Sequence, residues 1–190
     1  MQNRRTVIIK KQSYFTNEFP FHIFKVRHFS KTSESIHQRE FWKIIYVISG
    51  KGRKFINGEI HPLRPGSLYL IHPEDETTYL IEPGDHVEVF NVLFLPEMLA
   101  FGIKEMRSRF SFFSIFEPHL DKSLSARRKQ IYILDSNREI AALIRRLERE
   151  HLQHCFNYQM VIKAQLLELL ALIIRLSVRK MKASHGTEIV

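Results

Sequence analysis

The sequence is poor in cysteine and lacks any long apolar segment, and both absences narrow the kind of protein it can encode. Cys155 is the single cysteine among 190 residues, which excludes an internal disulfide bond and a cysteine-based zinc cluster. The most apolar helical stretch, residues 169–174, is far shorter than the roughly 20 residues that a membrane-spanning helix needs. No secretory signal follows the N-terminus. These absences predict a soluble, cytoplasmic protein with no membrane partner.

Several catalytic signatures are also missing. The sequence contains no glycine-rich phosphate loop, no nucleophile elbow around a serine and no zinc-protease motif. Among ten histidines, the closest pair is His151 and His154, which has no acid beyond it to complete a metal site, so we expect a solvated helix face. The net charge of +9 is spread along the chain, which predicts at most weak, sequence-independent attraction to DNA.

The first half of the chain has the pattern of short strands separated by turns. Asn57-Gly58 lies between two strand segments and is the strongest short hairpin signal, because both turn positions need a positive φ angle. Pro65-Gly66 and Pro83-Gly84 mark further turns. Strands at such regular spacing predict an antiparallel barrel or sandwich. The predicted strands are 6–11, 20–29, 41–49, 55–60 with its central turn, 67–71, 77–81 and 86–95.

The second half changes to a helical period. Residues 97–130 are mixed, and we expect short helix and loop there, with an aromatic cluster at Phe110, Phe112, Phe113 and Phe116. One more strand is predicted at 131–134. Ser136-Asn137-Arg138-Glu139 has the pattern of a capping box, in which the Ser and Glu side chains satisfy the free N–H groups of a helix start. An amphipathic helix is predicted after it, and a second helix from about 157 to 180.

The second predicted helix carries two apolar stripes. One stripe repeats with spacings of 4, 3, 4 and 3 residues, the period of a helix that packs along a partner helix. The other stripe (Leu167, Leu170 and Ile174) is left to contact the body of the domain. We therefore predict a symmetric homodimer, although a purely intramolecular core is the alternative. The predicted dimerisation residues are Ile162, Leu166, Leu169, Ile173 and Leu176.

A resemblance becomes specific in the strand region. His37 and Arg39, the segment Lys43-Ile44-Ile45-Tyr46-Val47-Ile48-Ser49-Gly50-Lys51-Gly52, then Ile56-Asn57-Gly58 and Leu63-Arg64-Pro65-Gly66-Ser67-Leu68 follow the pattern of a cupin. Together with two C-terminal helices, this order resembles the cupin sensor domain of AraC/XylS-type transcription regulators. The resemblance implies a mainly β fold, a cupin-like antiparallel barrel (double-stranded β-helix or jelly roll), followed by two C-terminal α-helices.

The same resemblance implies how the chain is divided. Residues 1–135 would form the ligand-sensing barrel with an N-terminal arm, and residues 136–182 a two-helix dimerisation segment. Residues 183–190 would be a tail leading to a DNA-binding module that this chain does not contain. DNA would then be bound only through that helix-turn-helix module.

The chain departs from the metal-binding pattern of cupins. Those proteins use two histidines and a glutamate from the first motif and a further histidine from the second. His37 matches the first position, but Arg39 and Lys43 stand where the second histidine and the glutamate belong. One imidazole beside two cations is a poor metal site. We therefore expect no metal, no cofactor and no enzymatic activity.

The substituted positions suggest a different ligand. If the cupin register holds, His37, Arg39 and Lys43 share the parity that faces the barrel interior, and two cations there favour an anionic or carboxylate ligand. The alternative is that the cations reach water at the barrel mouth or pair with Glu40, Glu74 or Glu76. Tyr69, His72 and Tyr79 can add polar groups on aromatic rings, as the walls of small-molecule pockets often do. The predicted ligand-binding residues are therefore His37, Arg39, Lys43, Tyr69, His72 and Tyr79.

These observations predict an effector-sensing and dimerisation domain of an AraC-type regulator. Its effector would be a small molecule, anionic or sugar-like, bound in the barrel. Two alternatives remain open. The first is a stand-alone cupin enzyme that works without a metal, and the second is an interaction module whose barrel is filled by its own side chains.

Overall fold

The structure is a computed structural model that describes residues 6–16, 18–30, 35–99 and 131–185. The described part contains ten strands and two α-helices. The strands are β1 (Thr6–Ile9), β2 (Phe21–Phe29), β3 (Ile36–Arg39), β4 (Trp42–Gly50), β5 (Gly52–Ile56), β6 (Glu59–Leu63), β7 (Ser67–Ile71), β8 (Thr77–Leu80), β9 (His86–Phe94) and β10 (Ile131–Leu134). The helices are α1 (Glu139–Gln153) and α2 (Tyr158–His185). The predicted phenylalanine cluster at 110–116 lies outside the described residues.

The strands form two five-stranded sheets, and the pattern of the sequence explains why they face each other. The first sheet has the order β1-β3-β8-β5-β6 and the second the order β10-β7-β4-β9-β2. Successive side chains of a strand point to opposite faces, so the apolar residues on one face of each sheet meet in an inner core. This is the predicted mainly β barrel architecture, and β4 lies inside the second sheet as its two-sided apolar pattern predicted.

Two glycine-containing turns fix the ends of the barrel strands. Asn57 and Gly58 have φ angles of 48° and 93°, so the hairpin between β5 and β6 is the predicted Asn-Gly turn. At Gly50 the chain leaves β4 with φ 81°. A Cβ atom at that position would lie 2.1 Å from the carbonyl oxygen of His86, so only glycine allows this close approach to β9.

The two helices cover the outer face of the second sheet. Their apolar side chains form one cluster with the outward-facing residues of β2, β4, β7, β9 and β10. In α1 the buried side chains follow the predicted helical spacing. None of the helices in the described ranges is both long and apolar enough to cross a membrane.

The predicted dimer seam lies inside this cluster. Four of its five residues have no solvent-exposed surface in a single chain, because α2 turns that face towards α1 and the second sheet. The fifth, Leu176, is partly buried against the same cluster. A second copy of the chain cannot reach side chains that are already enclosed. The assignment of these residues to a dimer interface is therefore corrected, and the residues without exposed surface are Ile162, Leu166, Leu169 and Ile173.

The start of α1 also differs from the prediction. Arg138 precedes the helix with a φ angle of 60°, and no side chain at that position caps the helix. Asp135 takes this role instead, since its carboxylate accepts the N–H groups of Ala141 at 2.9 Å and Ile140 at 3.3 Å. The same carboxylate accepts the hydroxyl of Tyr46 at 3.1 Å. The predicted Ser136 capping box is wrong, because the buried Asp135 reaches the free N–H groups from further upstream.

We predict that Asp135→Ala lowers the free energy of unfolding by about 2 kcal/mol, since it removes three hydrogen bonds to a buried carboxylate at a helix N-terminus. Urea denaturation followed by circular dichroism measures the change. Ser136→Ala, at an exposed position one residue away, is the matched control and is expected to leave stability nearly unchanged. An equal loss of stability in both variants would indicate that Ser136 caps the helix as well, as the capping-box prediction stated.

Candidate functional site

The two inner sheet faces turn eight polar side chains into the barrel interior. They come from six strands, and each of them points inwards because the side chains of a strand alternate between its two faces. We call this group the polar half of the barrel. It consists of His28 on β2, His37 and Arg39 on β3, Lys43 on β4, Lys54 on β5, Thr77 and Tyr79 on β8, and Asn91 on β9.

Arg39 is the most firmly held cation of the group. Its side chain is only 5% exposed, and its Nη2 donates to Thr77 Oγ1 at 2.6 Å and to the His37 carbonyl oxygen at 3.4 Å. Its Nη1 is buried and has no hydrogen-bond partner among the described residues. Burial lowers the pKa of Arg39 to about 10. The guanidinium therefore stays charged at neutral pH with one unused donor group.

Asp75 is the acid that acts on Arg39, but its oxygens are already used. The Asp75 carboxylate accepts the backbone N–H of His72 at 2.7 Å and the side-chain amide of Asn57 at 2.6 Å. It raises the pKa of Arg39 through space, and no ion pair joins the two within the described ranges. Asp75 thus stabilises the turn between β7 and β8 and does not neutralise the polar half by direct contact.

Lys54 is the most deeply buried cation. It is 2% exposed, and its Nζ lies 3.6 Å from the centroid of the Tyr79 ring. No carboxylate in the described part of the chain pairs with it. Burial first, and then the charges of Lys43 and Arg39, lower the pKa of Lys54 well below its usual value. An amine in this position strongly favours an arriving negative charge.

Lys43 lies on the neighbouring strand β4 and is half-buried. Its pKa is lowered to about 7, mainly by burial and further by the charge of Arg39. No ion pair is formed by Lys43 within the described residues either. The predicted pairing of these cations with nearby glutamates does not occur at Glu40, which instead accepts a hydrogen bond from Lys10 at 2.6 Å.

Two histidines complete the polar half. The His28 ring stacks on Tyr79 with 3.9 Å between ring centroids. Burial, followed by the charges of Lys43, Lys54 and His37, lowers the pKa of His28 to about 3. Burial and the surrounding cations also lower the pKa of His37. Both rings are therefore neutral at physiological pH. His28 Nε2 and the Tyr79 hydroxyl are buried without a hydrogen-bond partner among the described residues.

The apolar side chains that share the barrel interior, which we call the apolar half, pack against one another and beside the polar half. None of them has exposed surface, as expected of a closely packed core. They are Ile45, Val47, Tyr69, Ile71, Val87 and Val89. In the polar half, by contrast, His28, His37 and Lys43 keep part of their surface exposed.

The structure brings together four of the six predicted ligand residues. His37, Arg39, Lys43 and Tyr79 all belong to the polar half. Tyr69 does not, because it sits in the apolar half and its hydroxyl donates to the carbonyl oxygen of Pro62.

His72 also lies apart from the polar half. Its ring contacts Trp42 edge-on at 4.6 Å, and Trp42 belongs to the cluster beneath the helices. The assignments of Tyr69 and His72 as polar pocket edges are therefore corrected, because one is enclosed by its own contacts and the other turns to the opposite face of its sheet.

Sequence reasoning missed Lys54, His28, Asn91 and Thr77. Strand alternation carried the signal for each of them: Lys54 shares the parity of Ile56 and pairs directly with Tyr79 across the strands. Asn91 pairs with Ile45, whose side chain lies in the barrel core. A polar residue at a core-facing strand position was therefore the clue that could have found them.

The histidines at the end of α1 form a separate contact. His151 Nε2 lies 3.2 Å from His22 Nδ1 on β2, and burial lowers the pKa of His151 to about 4. The predicted solvated face is therefore wrong for His151, which packs against the sheet, whereas His154 is exposed.

The site residues do not fit the metal that catalytic cupins hold. In the described ranges no group of three histidine, cysteine, aspartate or glutamate side chains is placed to hold a metal ion. The cations Arg39 and Lys43 occupy the substituted ligand positions, and both repel a divalent cation.

Comparison with known proteins adds three findings. Residues 27–170 match the family model of the AraC-like ligand-binding domain. Curated relatives include L-ectoine synthase from Aliivibrio fischeri, 34% identical over 79 residues, which are 41% of this chain and 59% of the enzyme. L-ectoine synthase from Vibrio cholerae is 34% identical over 59 residues, or 30% of this chain and 41% of that enzyme. The chain thus spans at most about three fifths of these relatives.

Among solved structures, ToxT from Vibrio cholerae, with an unsaturated fatty acid bound, aligns over 84% of this chain and 55% of its own length at 8% identity and a TM-score of 0.51. A cupin protein from Bacteroides fragilis aligns over 40% of this chain and 65% of its own length at 17% identity and a TM-score of 0.36. The L-ectoine synthases contradict the prediction that the chain is not an enzyme, because the curated relatives it matches are enzymes.

Proposed function

Because the chain belongs to the AraC-like ligand-binding domain family, we propose that its barrel binds a small-molecule effector and passes the binding event to the two helices. The polar half is the binding site in this proposal. A homodimer that does not use the enclosed residues Ile162, Leu166, Leu169 and Ile173 is part of the same proposal. So are the division of the chain at residues 135 and 182 and the DNA-binding module outside this chain.

One observation carries the proposal: the polar half contains buried polar atoms that the protein itself leaves unsatisfied. They are Arg39 Nη1, His28 Nε2, the Tyr79 hydroxyl and Asn91 Oδ1, none of which has a partner among the described residues. Each such group costs about 1–3 kcal/mol when it is left unpaired. A ligand that pairs with several of them recovers that free energy on binding, which is what a binding site requires.

The strands give a physical route from the ligand to the helices. Lys43 on β4 and Asn91 on β9 point into the polar half, while their neighbours Ile44, Phe90 and Val92 point outwards into the cluster with α1 and α2. A ligand that shifts β4 or β9 therefore moves the surface on which both helices rest. Rigid packing transmits such a shift, because a close-packed core does not deform freely.

A second candidate function is catalysis on the bound molecule. The identity to L-ectoine synthases over 79 residues favours it, and the low-pKa amine of Lys43 is a candidate proton acceptor near pH 7. In this function the polar half would convert its ligand, whereas an effector-binding domain would release it unchanged.

Thermal unfolding in the presence of a panel of small molecules tests the proposal. The panel contains neutral monosaccharides, polyols, amino acids, L-ectoine and short organic acids. A ligand at one hundred times its Kd stabilises the folded chain by about 2.7 kcal/mol, which raises the midpoint by several degrees. Mass spectrometry of the mixture afterwards separates the two candidates, since only catalysis leaves a product. Absence of any stabilising compound class would contradict small-molecule binding in the barrel.

A further inference from the structure

The charges inside the barrel are unbalanced. Three basic side chains from three different strands converge in the polar half, and none of them forms an ion pair with an acid in the described part of the chain. Uncompensated cations at such depth are costly, and an anion that pairs with them offsets that cost. The three are Arg39, Lys43 and Lys54.

The side chains around the cations supply no compensating charge by contact. The groups facing the three cations from the surrounding strands are two neutral imidazoles, a hydroxyl, a phenol and a carboxamide, belonging to His28, His37, Thr77, Tyr79 and Asn91. Asp75 acts on Arg39 only through space, as its oxygens are held by His72 and Asn57. The same five side chains can donate or accept hydrogen bonds around an anion once it is present.

We propose that the polar half is a binding site for one compact anionic group, a carboxylate or a phosphate of a small molecule, held by Arg39, Lys43 and Lys54. The inference rests on the proposed function and names its ligand class. Arg39 offers its free Nη1 to one oxygen, and the two lysines contribute charge from β4 and β5. The anion is compact because the neighbouring residues of the apolar half have no exposed surface that a long apolar tail could cover.

Proton uptake should accompany binding. At neutral pH Lys43 is partly deprotonated, since its pKa is about 7, and an anion beside it favours the charged form. Affinity should therefore fall as the pH rises from 6 to 8, because the protonated fraction of a group with this pKa drops about tenfold over that range. The pKa of Lys54 is well below its usual value in the anion-free chain. We expect anion binding to raise it, as it raises the pKa of Lys43.

Isothermal titration calorimetry with L-lactate, inorganic phosphate and L-lactamide tests the proposal. Lactate and lactamide have nearly the same shape, so the pair isolates the charge, whereas lactate against phosphate distinguishes the two sources of anion. We expect at least one anion to bind and lactamide to bind at least about tenfold more weakly, the worth of one charge-assisted hydrogen bond. Titrations in two buffers of different ionisation enthalpy should show proton uptake near pH 7.5.

Variants locate the binding site. Lys54→Met and Lys43→Met each remove one cation without adding bulk, and each should weaken anion binding at least about tenfold. Lys51→Met is the matched control, because Lys51 is exposed and pairs with Asp85 at 3.4 Å. It should leave the affinity unchanged. Circular dichroism of each variant establishes that it is folded before it is titrated.

Each other outcome contradicts the inference in a recognisable way. Equal binding of lactate and lactamide would show a small-molecule site that does not select a negative charge. This result would support the proposed function and contradict the anion site. Equal weakening in Lys51→Met and Lys54→Met would place the anion on the surface. If neither lactate nor phosphate binds but a neutral compound stabilises the chain, the anion site is contradicted and the proposed function is still supported. Absence of any ligand would contradict both proposals.

Discussion

Replacing Lys54 with methionine is expected to raise the free energy of unfolding of the anion-free chain by about 1–4 kcal/mol, the range found when buried ion pairs are exchanged for apolar residues of similar volume. Methionine has nearly the length of the lysine stem, and its thioether replaces the contact of the amine with the Tyr79 ring by a sulfur–aromatic contact. The amine that is removed is 2% exposed and has no acidic partner within the described residues. Urea denaturation at pH 7 measures the gain.

The pH dependence of this gain identifies its cause. The folded-state pKa of Lys54 lies well below that of the unfolded chain, so over the range between the two values the unfolded chain binds more protons, and stability rises with pH. Lys54→Met removes this contribution, and its advantage should shrink as the pH approaches 10. Lys51→Met, the surface control, should show no comparable gain. A Lys54→Met chain that is less stable than wild type at pH 7 would contradict the claim that the buried amine of Lys54 destabilises the anion-free chain.

Leu169→Ala is expected to lower the free energy of unfolding by about 2–5 kcal/mol, and Leu169→Arg to prevent folding altogether. Leu169 has no exposed surface and packs in the cluster between α2, α1 and the second sheet. Alanine leaves a cavity there, whereas arginine places an unpaired charge in an apolar core. Chemical denaturation of the alanine variant and circular dichroism of the arginine variant measure these effects.

The matched control lies on the same helix. Met160 is 72% exposed, so Met160→Arg should remain folded with nearly wild-type stability. Sedimentation of the variants separates this account from the dimer seam predicted by the heptad spacing. A folded, monomeric Leu169→Arg chain derived from a dimeric wild type would show that Leu169 lies between two copies and not within one.

The strand pattern predicted the barrel well, because the period of two and the turn residues report local geometry. The Asn57-Gly58 hairpin and the two-sided apolar strand β4 appear as predicted. The boundaries of α2 also agree at its start, as the helix begins at Tyr158 where the prediction placed it near 157. Local signals of this kind depend on neighbouring residues alone and can therefore be read from one sequence.

The prediction of the dimer seam was wrong for a physical reason. A 3.5-residue spacing shows that one face of a helix is covered, but it does not show whether the cover is another chain or the helix's own domain. Residues Leu166, Leu169 and Leu170 all turn towards α1 and the sheet. The two apolar stripes of α2 therefore form one wide face, as expected of a helix lying across a sheet and against a second helix.

The polar half was predicted only in part, since its composition depends on which strands lie opposite each other. His37, Arg39 and Lys43 share neighbouring segments and could be grouped by parity. Lys54 joins them only because β5 pairs with β8 and places it against Tyr79. Such pairings between strands distant in the sequence are not contained in the local pattern, so the full cationic cluster required the structure.

A crystal structure of the chain grown with selenate tests the central claim most directly, because selenate resembles phosphate or sulfate and its anomalous scattering locates each bound ion. We expect one peak inside the barrel, within hydrogen-bond distance of Arg39 Nη1 and the Nζ atoms of Lys43 and Lys54. That peak should be missing in Lys54→Met. Selenate found only on the surface, or a carboxylate of the chain itself bound to Lys54, would contradict the account.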